Sequence, residues 1–382
     1  MLSIRAVDSQ SDWTAFQQVP RTVYRNDPHW IPEIAVDLEP LLVHPSAGWR
    51  QRADTQAFVA WQGTIPVGRI VVIEDHRQNR RNEESVAFFG FYEAIADDDV
   101  AFGLFDAAAG WARGRSLTEL RGPVNPSMEY GAGLLVGAGG RSPLIGMPYN
   151  PTYYAEQVGR WGMTKVKELH SYRALGPASS WLASDRAVLD RGRRRAKVRF
   201  RAIRLDHFEQ EVESVRQIYN AAFDGFWGFT PLDRDEFLQL ASGFRPILDP
   251  ELAVFAEVDG RPIGFLMAIP DVNQALARAA RFRSGALRNL VALWHWKGPR
   301  RRKVITHVRV DMLMLEPDHA GTGIALLLLA EIVDRVRDRG YASLEGAPVL
   351  EGADWIRPLR GMVDVDRVYR VYGRSLSRAR SA

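Results

Sequence analysis

The stretch from Leu313 to Gly340 contains the residues whose types and spacing indicate a chemistry. An apolar strand and a Glu-Pro turn lead into a Gly-Thr-Gly loop, and an amphipathic helix follows. Gly321 and Gly323 lack side chains, so consecutive backbone N–H groups can face one oxyanion, and the helix dipole adds partial positive charge there. The segment therefore predicts a phosphate-binding loop, formed by Gly321, Thr322, Gly323, Ile324 and Ala325.

The spacing of this loop excludes the commoner phosphate-binding motifs. A P-loop would end in Gly-Lys-Ser/Thr, and a dinucleotide fingerprint would have a third Gly three positions on, but Ala325-Leu326 supplies neither. The remaining alternative is a glycine-closed loop that only connects a strand to a helix.

An internal repeat indicates how the chain positions this loop. Residues 4–7 (Ile-Arg-Ala-Val) are echoed by residues 200–203 (Phe-Arg-Ala-Ile), and Pro66-Val67-Gly68 is echoed at the same offset by Pro262-Ile263-Gly264. The repeat is as long as a domain, so the chain reads as a tandem duplication of an α/β unit. We expect a first domain at residues 1–175, a linker at 176–197 and a second domain at 198–382, with an insertion at 274–303.

Each copy has the same predicted order of elements. A strand and a helix come first and a hairpin follows; in the second copy Asp259-Gly260 is a strong hairpin turn signal. A strand then leads into a helix, and a further short strand follows. In the first copy the predicted strands are 57–61, 67–73, 86–93 and one near Glu119, and the predicted helix is 99–113. In the second copy the predicted strands are 252–258, 263–269, 306–315 and one near Leu344, and the predicted helix is 323–339.

Composition limits the classes of protein. The 382 residues are 46% hydrophobic and 25% charged, which suits two ordinary cores. No apolar run approaches the roughly 18 residues of a membrane span, and the N-terminus lacks a signal-peptide core, so we expect a cytoplasmic protein. The absence of cysteine and the scattered histidines predict no metal site. A net charge of only +4 and no recognised binding module predict no nucleic-acid partner.

The glycine loop resembles motif A of the GCN5-related N-acetyltransferases, in which an Arg/Gln-x-x-Gly-x-Gly/Ala turn binds the pyrophosphate of coenzyme A. Gly323 and Ala325 match the small positions, whereas the family's Arg or Gln falls on Ala320. The order of elements is similar to the acetyltransferase fold over nearly all of both halves. The resemblance implies two tandem domains, each a mixed, mostly antiparallel sheet flanked by helices, with acyl-CoA (acetyl-CoA or longer) as co-substrate and no metal.

Further blocks resemble a group of tandem acyltransferase-like proteins that includes bacterial ceramide synthase. The blocks are Asp27-Pro28-x-Trp30-x-Pro32, Tyr149-Asn150-Pro151-x-Tyr153-Tyr154, residues 270–276 (Pro-Asp-Val-Asn-Gln-Ala-Leu) and Tyr369-Arg370-Val371-Tyr372. This resemblance implies acyl transfer from coenzyme A to an amine, including a long-chain or lipid amine. One departure is Glu351-Gly352-Ala353, where the group usually has Glu-Asp-Asn.

The resemblance also implies catalytic roles. The thioester carbonyl would meet a backbone N–H of the strand before the loop, which suggests Leu313 and Leu315 as further coenzyme A contacts. A carboxylate on the strand after the helix makes Glu345 the first candidate for the general base, and Glu351 is the second. Tyr369 and Tyr372 are candidates for the acid, or simply strand aromatics.

The first copy differs in chemistry from the second. It has Asp97-Asp98-Asp99 at the helix start, and these carboxylates would repel a pyrophosphate. We expect a degenerate copy that either shapes the acceptor site or only packs against the second half. Its Pro/Gly-rich loops hold the candidates for lining the acceptor pocket, which are Asn125, Glu129, Tyr149, Asn150 and Tyr153; the alternative is turns with tyrosines covering the core.

The insertion at 274–303 is rich in Ala, Leu, Trp and Arg and has almost no acidic residues. It suits an interfacial element in peripheral contact with the inner face of an anionic membrane, a cover over an acyl chain, or an ordinary surface hairpin. For the whole chain, the alternative to an enzyme is a non-catalytic acyl-CoA or lipid-binding protein with a vestigial acyltransferase fold.

Overall fold

The chain folds into two compact units, Met1–His170 with Arg367–Ala382, and Ser171–Asp366. The structure, a computed structural model, describes residues 1–32, 47–127, 131–137, 140–174, 186–279, 290–291, 293–296, 304–353, 359 and 361–376. The predicted acceptor residue Glu129 and most of the predicted insertion lie outside these ranges.

The first unit is built on a mostly antiparallel sheet. Its strands are β1 Leu2–Ala6, β2 Ala53–Gln62, β3 Ile65–Asp75, β4 Val86–Ala94, β5 Glu119–Gly122, β6 Leu134–Leu135, β7 Thr164–Ala174 and, much later in the chain, β14 Val363–Ser375. Seven of them follow the order β1-β2-β3-β4-β5-β14-β7, in which β4 and β5 pair in parallel and the pairs β1–β2, β2–β3, β3–β4 and β5–β14 are antiparallel. The helices are α1 Gln10–Val23, α2 Ala47–Arg52, α3 His76–Asn82, α4 Asp98–Gly114 and α5 Tyr153–Arg160.

The core of the first unit lies between α4 and the sheet. Leu104, Phe105 and Ala108 of α4 are fully buried, as are Ile70 and Phe89 of the strands. Burial of such side chains contributes roughly 1.5–3 kcal/mol each for the larger ones. The 3.6-residue spacing of apolar residues along α4 thus fixes which face of the helix meets the sheet.

The second unit repeats this plan. Its strands are β8 Val198–Ala202, β9 Ala253–Val258, β10 Arg261–Pro270, β11 His307–Leu315, β12 Ser343–Gly346 and β13 Val349–Leu350. Five of them follow the order β12-β11-β10-β9-β8, in which β11 and β12 pair in parallel and the other neighbours are antiparallel. The helices are α6 Arg186–Ala196, α7 Phe208–Phe223, α8 Arg234–Phe244, α9 Asn273–Ala279 and α10 Ile324–Asp338.

The predicted fold class is confirmed, because both units are mixed, mostly antiparallel sheets flanked by helices. The predicted hairpin between β9 and β10 is also present. Asp259 and Gly260 both adopt positive φ angles, 50° and 79°, as a two-residue hairpin turn of the primed type requires.

The compact units differ from the predicted domains at two places. The chain passes from the first unit to the second within β7 and returns within β14, where Tyr372 is in register with Gly122 of β5. Contacts therefore assign residues from Arg367 onward to the first unit, although the sequence suggested the second. The predicted linker contains α6, which packs on α10 through an Arg193 Nη2 to Glu331 Oε2 hydrogen bond of 3.0 Å.

Of the helices that the structure describes, none combines the length and the apolar character needed to cross a bilayer.

Candidate acyl-transfer site

The Gly-Thr-Gly loop opens helix α10 without a side-chain cap. Gly321 and Gly323 adopt left-handed φ angles of 74° and 83°, which favour glycine, and both residues are exposed. Leu326 and Leu327 are the first donors within the helix, because their N–H groups bond the Gly323 carbonyl at 3.1 and 3.2 Å. The N–H groups of Gly323, Ile324 and Ala325 precede that bonding and are available to an anion.

Thr322 has a structural role in the loop, and its predicted contact with phosphate stays a prediction. Its hydroxyl donates to the His319 carbonyl at 2.7 Å, and its N–H approaches the same oxygen at 3.4 Å. Thr322 therefore closes the turn after Pro317–His319. Around Gly321 and Gly323, a Cβ atom added to either residue would have no atom of the described residues within 4 Å, so the space above the loop is open.

Strand β11, which leads to this loop, has a bulge and a partly released edge. Its register with β10 shifts between Met267 and Ala268, so that Met267 is paired with Met312 and Ala268 with Val310. Asp311 is the extra residue. On the other edge, β12 pairs with β11 only from His307 to Val310. We call the remainder of this edge, from Asp311 to Leu315, the released edge.

The backbone groups of Leu313 and Leu315 point to that released edge. Glu316 N–H donates to the Ile263 carbonyl of β10 at 2.9 Å, and in an antiparallel pair the residues that bond the neighbour alternate along the strand. Met314 therefore faces β10, whereas Leu313 and Leu315 present N–H and C=O groups beyond the end of the β12 pairing. This geometry suits the predicted contacts to a thioester carbonyl, which stay a prediction.

Charged side chains gather where β11 and β12 part. Glu345 is 4% exposed and lies in register with Arg309 of β11 and with Arg173, which is in the last part of β7 and belongs to the second unit. The buried Arg309 guanidinium donates to the carboxylate of Asp311, the bulge residue. A buried carboxylate beside an open strand edge is well placed to accept a proton. The second candidate base, Glu351, lies in the exposed turn after β13.

Sequence reasoning did not single out Arg309 and Asp311. The signal for Asp311 was an acidic residue within a mostly apolar strand, but the bulge that leaves Asp311 without a paired residue in β10 has no local signature.

The two tyrosines considered as acids belong to the first unit. Tyr372 is 5% exposed and is part of the core beneath α4, and Tyr369 is fully buried. Arg370 lies two positions before Tyr372 with its guanidinium carbon 5.9 Å from the centre of that ring, and it donates to Glu168 of β7. The burial of both tyrosines agrees with the alternative of strand aromatics, and an acid role stays a prediction.

The corresponding helix start in the first unit is already capped. Asp97 precedes α4, and its Oδ1 accepts the N–H groups of Asp99 at 2.9 Å and Val100 at 3.5 Å. Arg160 also donates to Asp98 at 2.8 Å. The N–H groups that would bind an anion are thus bonded to a carboxylate of the chain itself, which gives a physical reason why this copy should not bind coenzyme A in the same way.

The corresponding strand edge in the first unit is also occupied. The parallel pairing of β4 with β5 ends at Phe88, as that of β11 with β12 ends at Val310. Beyond it, the Asn125 side-chain oxygen accepts the Phe91 N–H at 2.6 Å, and the Tyr153 hydroxyl donates to the Ala94 carbonyl at 2.8 Å. Two predicted acceptor residues therefore complete the hydrogen bonding of β4.

Tyr149 and Asn150 also hold backbone and side chains in place. The Tyr149 hydroxyl donates to Asp27 Oδ2 at 2.7 Å, which joins two of the sequence blocks noted above. Asn150 is buried and bonds both backbone groups of Leu135. The role of these residues in acceptor binding stays a prediction, but each has a structural role that the sequence alone did not show.

The phenols in this region are protonated at neutral pH. Burial, followed by the nearby Glu93 carboxylate, raises the pKa of Tyr153 to about 12. Burial, followed by the hydrogen bond to Asp27, raises the pKa of Tyr149 well above its usual value. Both hydroxyls therefore keep their proton at neutral pH and act as hydrogen-bond donors, so neither is suited to be a general base.

Comparison with known proteins identifies this arrangement. The model of the Acetyltransferase (GNAT) family matches residues 212–351, which include the glycine loop, β11, α10 and β12. Bacterial ceramide synthase of Caulobacter vibrioides is 31% identical over 277 residues, or 72% of this chain and 72% of that protein. Protein YghO of Escherichia coli K12 is 26% identical over 354 residues, or 91% of this chain and 88% of that protein.

Solved structures agree on the fold of both halves. A tandem GNAT protein from the clavulanic acid biosynthesis pathway superposes with a TM-score of 0.54 at 13% identity, covering 99% of this chain and all of that one. At that identity the likeness concerns the fold alone. Together with the relative from Caulobacter, it shows that the chain belongs to the GCN5-related N-acetyltransferase (GNAT) family, as a protein of two tandem GNAT-like domains.

Proposed function

We propose that this protein is an acyl-CoA-dependent N-acyltransferase whose donor site lies in the second unit. The observation that carries the proposal is the uncapped start of α10 beside the released edge of β11, whereas the same two places in the first unit are occupied by Asp97 and Asn125. An acetyltransferase family and an acyltransferase relative support the reaction type.

In this proposal the pyrophosphate of coenzyme A meets the N–H groups of Gly323, Ile324 and Ala325 and the partial positive charge of the helix start. The pantetheine then runs along the released edge of β11, so that the thioester carbonyl accepts a hydrogen bond from the Leu313 N–H. A preorganised backbone donor at this position stabilises the oxyanion as it forms.

The chemistry of the proposed step is an exchange of a C–S bond for a C–N bond. The amine nitrogen attacks the thioester carbon, Glu345 accepts a proton from the nitrogen directly or through water, and the C–S bond breaks. The thiolate takes up a proton, so that an amide and free coenzyme A leave.

The acceptor class we propose is an amine, and a lipid or long-chain amine in particular, because the relative with 31% identity is a ceramide synthase. Trp294 and Leu293 are each 49% exposed on the part of the predicted insertion that the structure describes. Such apolar exposure fits the proposal that the protein meets its lipid substrates at a membrane surface.

One feature favours a second candidate, a non-catalytic acyl-CoA-binding protein. Ala320 stands where the family has Arg or Gln, so one contact to the pyrophosphate is lacking. A single-turnover assay separates the two functions: the enzyme mixed with acyl-CoA and a panel of long-chain amines should release free thiol at one equivalent per site. Binding of acyl-CoA with no thiol release for any amine would favour the non-catalytic protein.

A further inference from the structure

The second unit contains an apolar cavity of about 40 Å³ between helices α7 and α8 and strands β10 and β11. Its walls are apolar side chains, among them Phe208, Val212, Phe237, Leu240, Met267 and Met312. A site of this kind holds water poorly, because water needs two to four polar partners. It is suited to an apolar occupant.

The cavity begins next to the proposed position of the thioester carbonyl. Met312 lines the cavity, and it lies between Asp311, the bulge residue, and Leu313, whose N–H faces the released strand edge. One strand residue spans roughly 3.3 Å. A group attached to the carbonyl carbon therefore reaches the cavity within a few bond lengths.

The wall formed by α8 is incomplete. Leu240, Ala241 and Phe244 line the cavity and remain half-buried, so apolar surface stays in contact with solvent. Past the end of α8, the Trp296 indole N–H donates to the Pro246 carbonyl at 3.0 Å, which attaches the segment that carries the exposed Trp294. This contact brings the segment next to the residues that follow α8, among which Leu248 also lines the cavity.

We propose that this cavity binds the alkyl chain of the donor's acyl group, and that the protein selects acyl-CoA with chains longer than acetyl. The proposal rests on the proposed donor site, since that site puts the acyl carbon beside Met312. About 40 Å³ admits roughly three water-sized groups without rearrangement. Met267 and Met312 are unbranched and adaptable, so they can move to admit a longer chain.

The expected effect is a dependence of affinity on chain length. Each methylene that leaves water for an apolar site contributes about a fourfold gain in affinity, so three methylenes give about 60-fold. Butanoyl-, hexanoyl- and octanoyl-CoA should therefore bind progressively more tightly than acetyl-CoA in calorimetric titrations without any amine.

The matched variants are Ala241→Phe and Ser242→Phe. Ala241 lines the cavity, whereas Ser242 is its exposed neighbour on the same helix, so the same side chain is added inside the cavity in one case and to the surface in the other. Ala241→Phe should remove the gain with chain length and leave coenzyme A and acetyl-CoA affinity unchanged. Ser242→Phe should retain the whole series. Ala241→Leu is the smaller substitution, to be used if the Phe variant does not fold, as judged by circular dichroism.

Three results would overturn the proposal. The first is equal affinity for all members of the acyl-CoA series, and the second is an unchanged series in a folded Ala241→Phe or Ala241→Leu variant. The third is an affinity that depends on the length of the amine's chain but not on that of the acyl-CoA, which would mean that the cavity binds the acceptor.

Failure of the proposed donor site gives a different result from failure of the cavity. If coenzyme A itself does not bind, the donor site is wrong, and dansyl-undecanoate fluorescence then tests the cavity alone. Binding of this probe to the wild type and to Ser242→Phe, with loss in Ala241→Phe, supports an alkyl-chain site. Equal binding to all three proteins, or binding to none, contradicts it.

Discussion

The uncapped start of α10 leads to a sharp prediction, in which Gly323 is replaced by Asp. A carboxylate at this position would lie among the N–H groups of Ile324 and Ala325 and close to any phosphate bound there. Two like charges about 4 Å apart repel each other by about 1 kcal/mol at the dielectric of water and about 4 kcal/mol at a protein surface. The dissociation constant for coenzyme A should therefore rise by about fivefold at least and about 1,000-fold at most.

The substitution also strains the backbone, and a matched control is needed. Gly323 has a φ angle of 83°, in the left-handed region that costs a residue with a side chain about 1–2 kcal/mol. Gly340, just after the other end of α10, has a φ angle of 78° and equally open surroundings among the described residues. Gly340→Asp should lower the free energy of unfolding by a similar amount and leave coenzyme A affinity unchanged.

Isothermal titration calorimetry with coenzyme A at two salt concentrations measures the effect. Because the loop is exposed, the affinity difference between Gly323→Asp and wild type should shrink as the salt concentration rises. If Gly323→Asp binds coenzyme A within twofold of wild type at low salt, or if Gly340→Asp weakens binding equally, the helix start is not the phosphate site.

The remaining predictions concern other parts of the second unit. Ala320→Arg, which introduces the family's residue at an exposed position, should tighten coenzyme A binding by about 1.4- to 5-fold in calorimetry, because an exposed ion pair contributes about 0.2–1 kcal/mol; unchanged affinity would contradict the proposed pyrophosphate position. Glu345→Gln should keep donor affinity and lower amide formation by a factor of about 100 to 10,000, measured by thiol release, and an unchanged rate would assign the base to another group. Burial alone would raise the pKa of the Glu211 carboxyl, but hydrogen bonds from Arg201 and Arg204 outweigh it, and the pKa in the folded protein lies below its usual value. The ionised carboxylate therefore stabilises the fold fully above the unfolded-state pKa of about 4.3, and this stabilisation is lost as the pH falls through the lower folded-state pKa. Glu211→Gln should therefore cost about 1–3 kcal/mol in urea unfolding at pH 7 and less at pH 3, whereas an equal cost at both would contradict the ion-pair account. Trp294→Ser should weaken flotation with anionic liposomes by about tenfold, since burying an aromatic side chain contributes at least about 1.5 kcal/mol, and equal flotation would exclude this surface from membrane contact.

Local signals in the sequence predicted the parts of the fold that depend on neighbouring residues. The Asp259-Gly260 hairpin and the Gly-Thr-Gly start of α10 both require positive φ angles, and glycine marks such positions directly. The apolar periodicity of α10 predicted its helix over 323–339, within a residue of the observed Ile324–Asp338.

Long-range pairing has no comparable local signal. Residues 186–196 are rich in arginine and include Gly192, so they resembled a linker, yet they form a helix in which Gly192 fits closely against Leu327. The side-chain oxygen of Asn125 bonds the N–H of Phe91, a residue 34 positions earlier, so a composition that suggested a binding loop serves the sheet. The bulge at Asp311 likewise depends on its partner strand.

The late strand β14 has a consequence for how this protein is made. Its residues from Tyr372 to Ser375 pair with Glu119–Gly122 of the first unit, so the two partners of this ladder are synthesised some 250 positions apart. The first unit is thus discontinuous in sequence, and until the ribosome has released Ser375 the β5 edge lacks its neighbour. We expect the first unit to finish folding after translation, because the pairing of β14 with β5 joins residues far apart in the sequence and forms slowly. We also expect a nascent chain that ends near residue 175 to expose an unpaired strand edge that is open to aggregation.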